Sequence, residues 1–360
     1  MQKKRLCGLD IVRSFAIMSV VLLHSVSLSG VLDGGKDVMW LVSLYLRQLC
    51  MSCVPLFLIL SGFLQRNKKP CFSYYLGIIP LLISYVFISI LCIAAYVIQG
   101  YMNGNMDMTF VTAIYKILDF SANGYSWYFE MYIGLFLLIP FLNLIFTSLA
   151  TKKGKLILIF TLVFLTLLPD TLSGFAPYYG GKSSVTLSVL PDFFKSLYPI
   201  TYYYIGSFIA EYKPKFSAPW RIAGVLLAPL VPTAFVSLYT YFRGGYAWYM
   251  FNGFQTLTVA FTAVCVFLAL YDIDIKNKTA NRVFACISVH TFEMYLMSYL
   301  WDNFFYSMTS VSAKLPYPAV AVFVLLCSFT SAFLLMLALK PLSKAICAIV
   351  GKRLPECETL

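Results

Sequence analysis

Charged side chains are scarce in this chain. Only 12% of its 360 residues are Asp, Glu, Lys or Arg, while 60% are hydrophobic. A soluble domain of this size carries roughly twice that charged fraction. The weakly alternating segments of about ten residues that mark an outer-membrane β-barrel are also missing. These absences argue against an ordinary soluble domain and favour an all-α, polytopic membrane protein, because helices are the default spanning element.

Metal and nucleic-acid sites also lack support. The ten cysteines are scattered and most lie within apolar runs, without a paired framework and without metal-ligand spacing to histidine. The basic residues behind the net charge of +12 sit in short loops between apolar runs, not on one soluble surface. Membrane orientation explains such a distribution better than nucleic acid does. We therefore expect no metal and no nucleic acid, with the lipid bilayer as a partner.

Ten apolar runs of about 20 residues, the length that a bilayer demands, predict about ten transmembrane helices in a single integral membrane domain over residues 1–360. The predicted spans are 9–30, 38–63, 73–98, 125–148, 155–170, 196–211, 220–242, 248–272, 283–306 and 317–339. The fifth and sixth are short, which is typical of tilted or partly re-entrant segments. No internal sequence repeat is visible.

The loops between these spans alternate in charge. Nineteen of the lysines and arginines fall on one side and seven on the other, with Arg13 inside the first span. The positive-inside rule makes the richer side cytoplasmic and places both termini there. We expect a multi-pass protein of the plasma or inner membrane.

The first predicted span carries Arg13 and His24, and His24 is one of only two histidines in the chain. Eleven residues are close to three helical turns, so both side chains fall on one face, about 16 Å apart along the axis. Arg13 lies near the cytoplasmic boundary and His24 in the outer half. Ionisable residues in a span usually face a polar cavity or a partner. The alternative is that Arg13 reaches the headgroups and His24 is a satisfied core histidine.

Acidic residues also occur inside predicted spans. Glu130 lies about 8 Å into the fourth span, close to the depth of His24, where a carboxylate would orient the imidazole and raise its basicity. A structural pairing between the two spans is the alternative. For Glu293, Asp302 and His290 a structural role is the preferred interpretation.

Three tryptophans, Trp127, Trp248 and Trp301, lie at outer boundaries and indicate an interfacial belt or, alternatively, a sugar-stacking platform.

Four segments, in order, resemble the membrane-bound acyltransferase-3 family. They are Arg13-x10-His24, "VPLFLILSGFL" (Val54 to Leu64), "YSWYFEMYIGLFLLIPFLN" around Glu130, and "ISVHTFEMYL" late in the chain. Together they extend the resemblance from about residue 5 to residue 339.

The resemblance implies an O-acyltransferase. The donor would be a cytoplasmic acyl-coenzyme A, usually acetyl-coenzyme A. The acceptor would be a hydroxyl of a cell-surface glycan or lipid-linked saccharide across the membrane. By this resemblance Arg13 helps to bind the donor and His24 is the essential base or acyl relay. An imidazole of ordinary pKa, about 6.5, can deprotonate a hydroxyl near neutral pH, and Glu130 would stabilise the imidazolium.

Two positions depart from the family pattern. The family's Arg-x-x-Arg is matched here by "RNKK", in which Arg66 is followed by Lys69, and lysine meets a phosphate without the bidentate fork. We still expect Arg13, Arg66 and Lys69 to meet the coenzyme A phosphates. Many relatives have a histidine where this chain has Ser298.

Two other functions fit the composition. Buried charges also serve permeation paths in transporters of small molecules or glycan precursors. The absence of an inverted repeat counts against common transporter folds. A non-catalytic membrane subunit of a polysaccharide assembly is the third possibility.

Overall fold

The computed structural model describes residues 6–104, 108–174, 191–248, 250–307 and 316–351. These residues form sixteen α-helices, two short 3₁₀ helices at Leu76–Ile78 and Lys195–Leu197, and no strand, so the predicted all-α class is confirmed. The α-helices are α1 Cys7–Leu28, α2 Val38–Cys50, α3 Cys53–Gln65, α4 Phe72–Tyr75, α5 Ile79–Met102, α6 Phe110–Leu118, α7 Trp127–Ser148, α8 Lys152–Thr166, α9 Leu168–Ser173, α10 Tyr198–Tyr212, α11 Ala218–Leu227, α12 Leu230–Arg243, α13 Leu257–Leu270, α14 Lys278–Val289, α15 Thr291–Ser307 and α16 Tyr317–Gly351.

Seven helices or continuous helix pairs in the described residues are long and apolar enough to cross a membrane. They are Cys7–Leu28, Val38–Gln65, Phe72–Met102, Trp127–Ser148, Lys152–Ser173, Ala218–Phe242 and Tyr317–Ile346. An eighth span results if α14 and α15, which are bent at a short break, form one span. Each of these eight segments overlaps a predicted span, and the chain is a multi-pass membrane protein.

The count of ten spans is not confirmed. The other two predicted spans contain α10, of 15 residues, and α13, of 14 residues. At a rise of 1.5 Å per residue, each is shorter than a hydrocarbon core of about 30 Å. Proline in the first turn of α10 and the left-handed conformation of Lys213 at its end, with φ of 44°, fix its limits. The cytoplasmic placement of both termini stays a prediction.

The described chain forms two compact units, each assembled from two stretches of sequence. Unit 1 comprises Met1–Asn67 and Leu142–Ser288, and unit 2 comprises Lys68–Phe141 and Val289–Leu360. The expectation that residues 1–360 act as one domain stays a prediction.

In unit 1, α3 and α10 pack more closely than any other pair of helices. A Cβ atom on Gly62 of α3 would lie 1.9 Å from the backbone oxygen of Tyr203, and one on Gly206 of α10 would lie 1.9 Å from that of Ile59. The hydroxyl of Ser207 donates to the carbonyl of Gly62 at 3.3 Å. Only glycine permits this approach, which explains the glycine of the Ser-Gly pair in "VPLFLILSGFL".

In unit 2, two buried acids are held by hydroxyl donors. Ser84 donates to Glu293 at 2.9 Å, and Tyr125 donates to Asp302 at 2.7 Å. The hydroxyl of Ser298 is buried and donates to the carbonyl of Tyr295 within its own helix at 2.8 Å. These contacts fit the structural roles predicted for Glu293 and Asp302.

Candidate active site

Helix α1 runs unbroken from Cys7 to Leu28 and carries both Arg13 and His24. The single helix places the two side chains on one face, with an axial separation of about 16 Å. Both side chains are half-buried, whereas Val12, Ala16, Ile17 and Val20 between or beside them are buried apolar contacts. The geometry on which the sequence interpretation rests is therefore present in unit 1.

Arg13 is tied to a distant part of the sequence. Its Nη1 donates to the hydroxyl of Ser288 at 3.2 Å, across 275 positions, and Ser288 is buried near the end of α14. Asp10 is also buried, one turn before Arg13 on α1. This arrangement holds the guanidinium inside unit 1 and differs from a side chain that reaches freely for headgroups.

His24 lies beside Arg47, a residue that the sequence analysis counted only as a boundary charge. The two side chains are close enough for a direct electrostatic interaction. Arg47 lies on α2 and is only 3% exposed. The available signal was the adjacent pair Arg47 and Gln48 inside the apolar run "VSLYLRQLC", since buried polar pairs in a span often mark a site.

The segment between α12 and α13 completes the surroundings of Arg47. The Nη2 atom of Arg47 donates to the side-chain oxygen of Asn252. The guanidinium lies 5.5 Å from the ring of Trp248, within the range of a cation–π contact. The indole of Trp248 donates to Asp33 at 3.0 Å. Burial raises the pKa of the nearby Tyr246 phenol, so this hydroxyl stays protonated near neutral pH. Trp248 therefore contacts a buried cation instead of lying free in an interfacial belt.

Arg66 ends α3 and takes part in a cluster of opposite charges. Its Nη1 lies 3.9 Å from a carboxylate oxygen of Glu211, while the buried Lys155 binds both oxygens of that carboxylate at 2.6 and 2.8 Å. Two cations share one anion here, so the cluster keeps a positive charge. Lys69 is exposed and belongs to unit 2.

Glu130 is placed in the first turn of α7, in unit 2, and its side chain is exposed. It lies close enough to Tyr85 of α5 to influence that phenol electrostatically. His290 follows α14 in the chain, its side chain is half-buried, and the ring of Phe333 lies 5.5 Å away. The predicted pairing of Glu130 with His24 stays a prediction.

No group of three or more His, Cys, Asp or Glu residues in the described part of the chain could hold a metal ion. The chemistry available around His24 is that of an imidazole, a guanidinium and neighbouring amide and hydroxyl groups. Such a set supports proton transfer and the stabilisation of negative charge.

Comparison with known proteins identifies the family. A search of curated proteins and a search of solved structures each found no match. The family profile described as "Acyltransferase domain", that of the acyltransferase-3 family, matches residues 8–337. The match includes Arg13, His24 and Arg47 and all four resembling segments. Because it extends over most of the sequence, this chain belongs to the acyltransferase-3 family.

Proposed function

We propose that this acyltransferase moves an acyl group, in the first place acetyl, from cytoplasmic acyl-coenzyme A to a hydroxyl of an extracytoplasmic polysaccharide or lipid-linked sugar. The observation that carries the proposal is the continuous helix α1, which holds Arg13 and His24 on one face. Family membership supports acyl transfer and does not favour the transporter alternative. The identity of the donor, the identity of the acceptor and the roles of the residues are proposed.

The donor would be held by cations at the end of unit 1 that is predicted to be cytoplasmic. Arg66 shares Glu211 with Lys155, so the cluster has one unneutralised positive charge for a phosphate. Charge-assisted hydrogen bonds to phosphate are strong, and Arg66 offers a bidentate fork. Arg13 is assigned to the same donor, nearer to the thioester arm.

His24 would act as the base. An imidazole near the predicted outer end of α1 takes the proton of the acceptor hydroxyl as the hydroxyl attacks the thioester carbonyl. It then returns the proton to the departing thiolate.

The two histidines of the chain supply a matched test. His24→Ala and His290→Ala each remove a half-buried imidazole, but only His24 is assigned to the reaction. We expect His24→Ala cells to lose the protein-dependent O-acetyl groups of their surface glycans, measured by mass spectrometry, while His290→Ala cells keep them. Equal expression and melting temperatures of the purified variants are the controls. Full acetylation by a folded His24→Ala protein would overturn the proposal.

The topology and the donor are tested separately. A tag after residue 67 should be accessible only from the cytoplasm, and purified protein should gain thermal stability from acetyl-coenzyme A. Arg66→Ala should weaken that gain more than Lys153→Ala, which removes an exposed lysine of the same unit. An external tag, or stabilisation by a free solute instead of acetyl-coenzyme A, would contradict the proposed donor route.

A further inference from the structure

Arg47 is a buried cation whose hydrogen-bonding capacity is only partly used. Its Nη2 donates to Asn252, but Nε and Nη1 are buried and have no hydrogen-bond partner among the described residues. None of the described carboxylates forms an ion pair with it. An unpaired buried charge costs several kcal/mol. A protein keeps such a group where a ligand or a reacting species supplies the missing negative charge.

The surroundings of Arg47 restrict where that charge can lie. The Trp248 ring, 5.5 Å away, is held by its hydrogen bond to Asp33, and Asn252 accepts from Nη2. The unused donors, Nε and Nη1, point to different sides of the planar guanidinium, because Nη1 is cis to Cδ and the Nε–H bond lies on the side of Nη2. His24, Tyr246 and Cys50 are the neighbouring titratable groups. An anionic oxygen bound by Nη1 would lie in surroundings that Arg47 shares with the imidazole proposed as the base.

We infer that Nη1 of Arg47 donates to the carbonyl oxygen of the acyl group and that the guanidinium stabilises the oxyanion formed during transfer. This inference rests on the proposed function. A fixed guanidinium with an unused donor suits an oxygen that gains charge, because preorganised donors stabilise charge that develops in the transition state. The negative charge exists only after attack. The guanidinium therefore has an anionic partner in the transition state but not in the ground state, and such preferential stabilisation of the transition state is the condition for catalysis.

The step balances without a further reactant. The acceptor oxygen forms a bond to the thioester carbon, the carbonyl π pair moves to the oxygen bound by Arg47, and the hydroxyl proton passes to His24. The oxyanion then re-forms the carbonyl and breaks the carbon–sulfur bond. The coenzyme A thiolate leaves and takes the proton from the imidazolium. Arg47 changes neither its protonation nor its covalent structure.

The first test replaces the guanidinium. Purified Arg47→Gln and Arg47→Lys proteins are assayed for release of coenzyme A from acetyl-coenzyme A, with purified surface polysaccharide or water as the acceptor. We expect Arg47→Gln to lower kcat about 10²–10³-fold with little change in the KM for acetyl-coenzyme A, and Arg47→Lys to lie in between. Arg221→Gln is the matched control, because Arg221 is an arginine of the same unit that already pairs with Asp272.

A second measurement examines the carbonyl oxygen itself. The dithioester analogue of acetyl-coenzyme A has sulfur, a weaker acceptor, in place of that oxygen. We expect the wild-type protein to prefer the oxygen substrate strongly and Arg47→Lys to lose most of that preference, which a purely structural role of Arg47 would not cause. This comparison remains informative if Arg47→Gln does not fold.

The results separate this inference from the proposed function. If His24→Ala is inactive while folded Arg47→Gln keeps the wild-type kcat, the oxyanion role is wrong and the proposed function stands. If both variants are fully active, the proposed function fails as well. A defect of Arg47→Gln confined to the KM of the acceptor would assign Arg47 to a carboxylate of the glycan and overturn the oxyanion role.

Discussion

Replacing Gly62 with alanine would place a methyl group inside the contact between α3 and α10. The new Cβ would lie 1.9 Å from the backbone oxygen of Tyr203 and 2.8 Å from its carbonyl carbon, whereas real Cβ contacts stay beyond 3.0 Å. Both opposing atoms belong to the backbone, so no change of rotamer relieves the overlap. The two helices must separate or tilt.

The expected cost follows from two opposing effects. Overpacking a dense contact costs about 1–3 kcal/mol, and a clash with backbone belongs at the upper end of that range. Alanine in place of a helical glycine returns about 1 kcal/mol of helix propensity. We therefore expect Gly62→Ala to lower the free energy of unfolding by about 2 kcal/mol.

Gly134 on α7 supplies the matched control. A Cβ on Gly134 would meet nothing within 4 Å, so Gly134→Ala should stabilise the protein by up to about 1 kcal/mol. The assay is the melting temperature of each purified protein in the same detergent. Equal melting temperatures for the two alanine variants would refute the close packing of α3 against α10. The double variant Gly62→Ala/Gly206→Ala should cost less than the sum of its parts, because one separation of the helices accommodates both methyl groups.

Two further predictions concern buried polar contacts, one in each unit. Lys155→Ala removes the cation that binds both carboxylate oxygens of Glu211. We expect this variant to lose about 1–3 kcal/mol of stability in thermal unfolding, whereas Lys153→Ala, at an exposed lysine, should show no change. Equal melting temperatures of the two variants would contradict this prediction. Tyr125→Phe leaves the buried Asp302 without its hydroxyl donor and should cost about 1–3 kcal/mol, whereas Tyr115→Phe, at a tyrosine that is 66% exposed, should cost nothing measurable.

The fold class and most spans could be predicted from the sequence because a bilayer imposes length and apolarity on each helix. Continuous runs such as Tyr317–Ile346 satisfy that condition unambiguously. The condition fails for α13, where the predicted span 248–272 extends beyond the 14 residues of the helix, and for α10, whose predicted span 196–211 is itself short. Hydropathy measures composition over a window, whereas helix ends depend on local features such as the left-handed Lys213.

The candidate site could be predicted only where it depends on spacing along one helix. Arg13 and His24 share α1, so their relation follows from the helical period alone. The partner of Arg13, Ser288, lies 275 positions away, and no pattern in a single sequence identifies it. Arg47 was missed because the charge count treats it as an orientation signal of the outer side, although it lies inside the predicted span 38–63. Its burial beside His24 follows from the packing of α2 against α1.

The Ser-Gly pair of "VPLFLILSGFL" gains a physical reason from this packing. Gly62 lies one turn before Arg66 on α3, and Gly206 lies five residues before Glu211 on α10. Helices are stiff over such short distances, so the approach that the two glycines permit also sets the distance between the two charged residues. Arg66 and Glu211 lie 3.9 Å apart, close to the 4 Å limit of an ion pair, and a separation of the helices by about 1 Å would exceed it. The motif therefore acts on the cluster assigned to the donor phosphates, at a distance from the imidazole assigned to the chemistry.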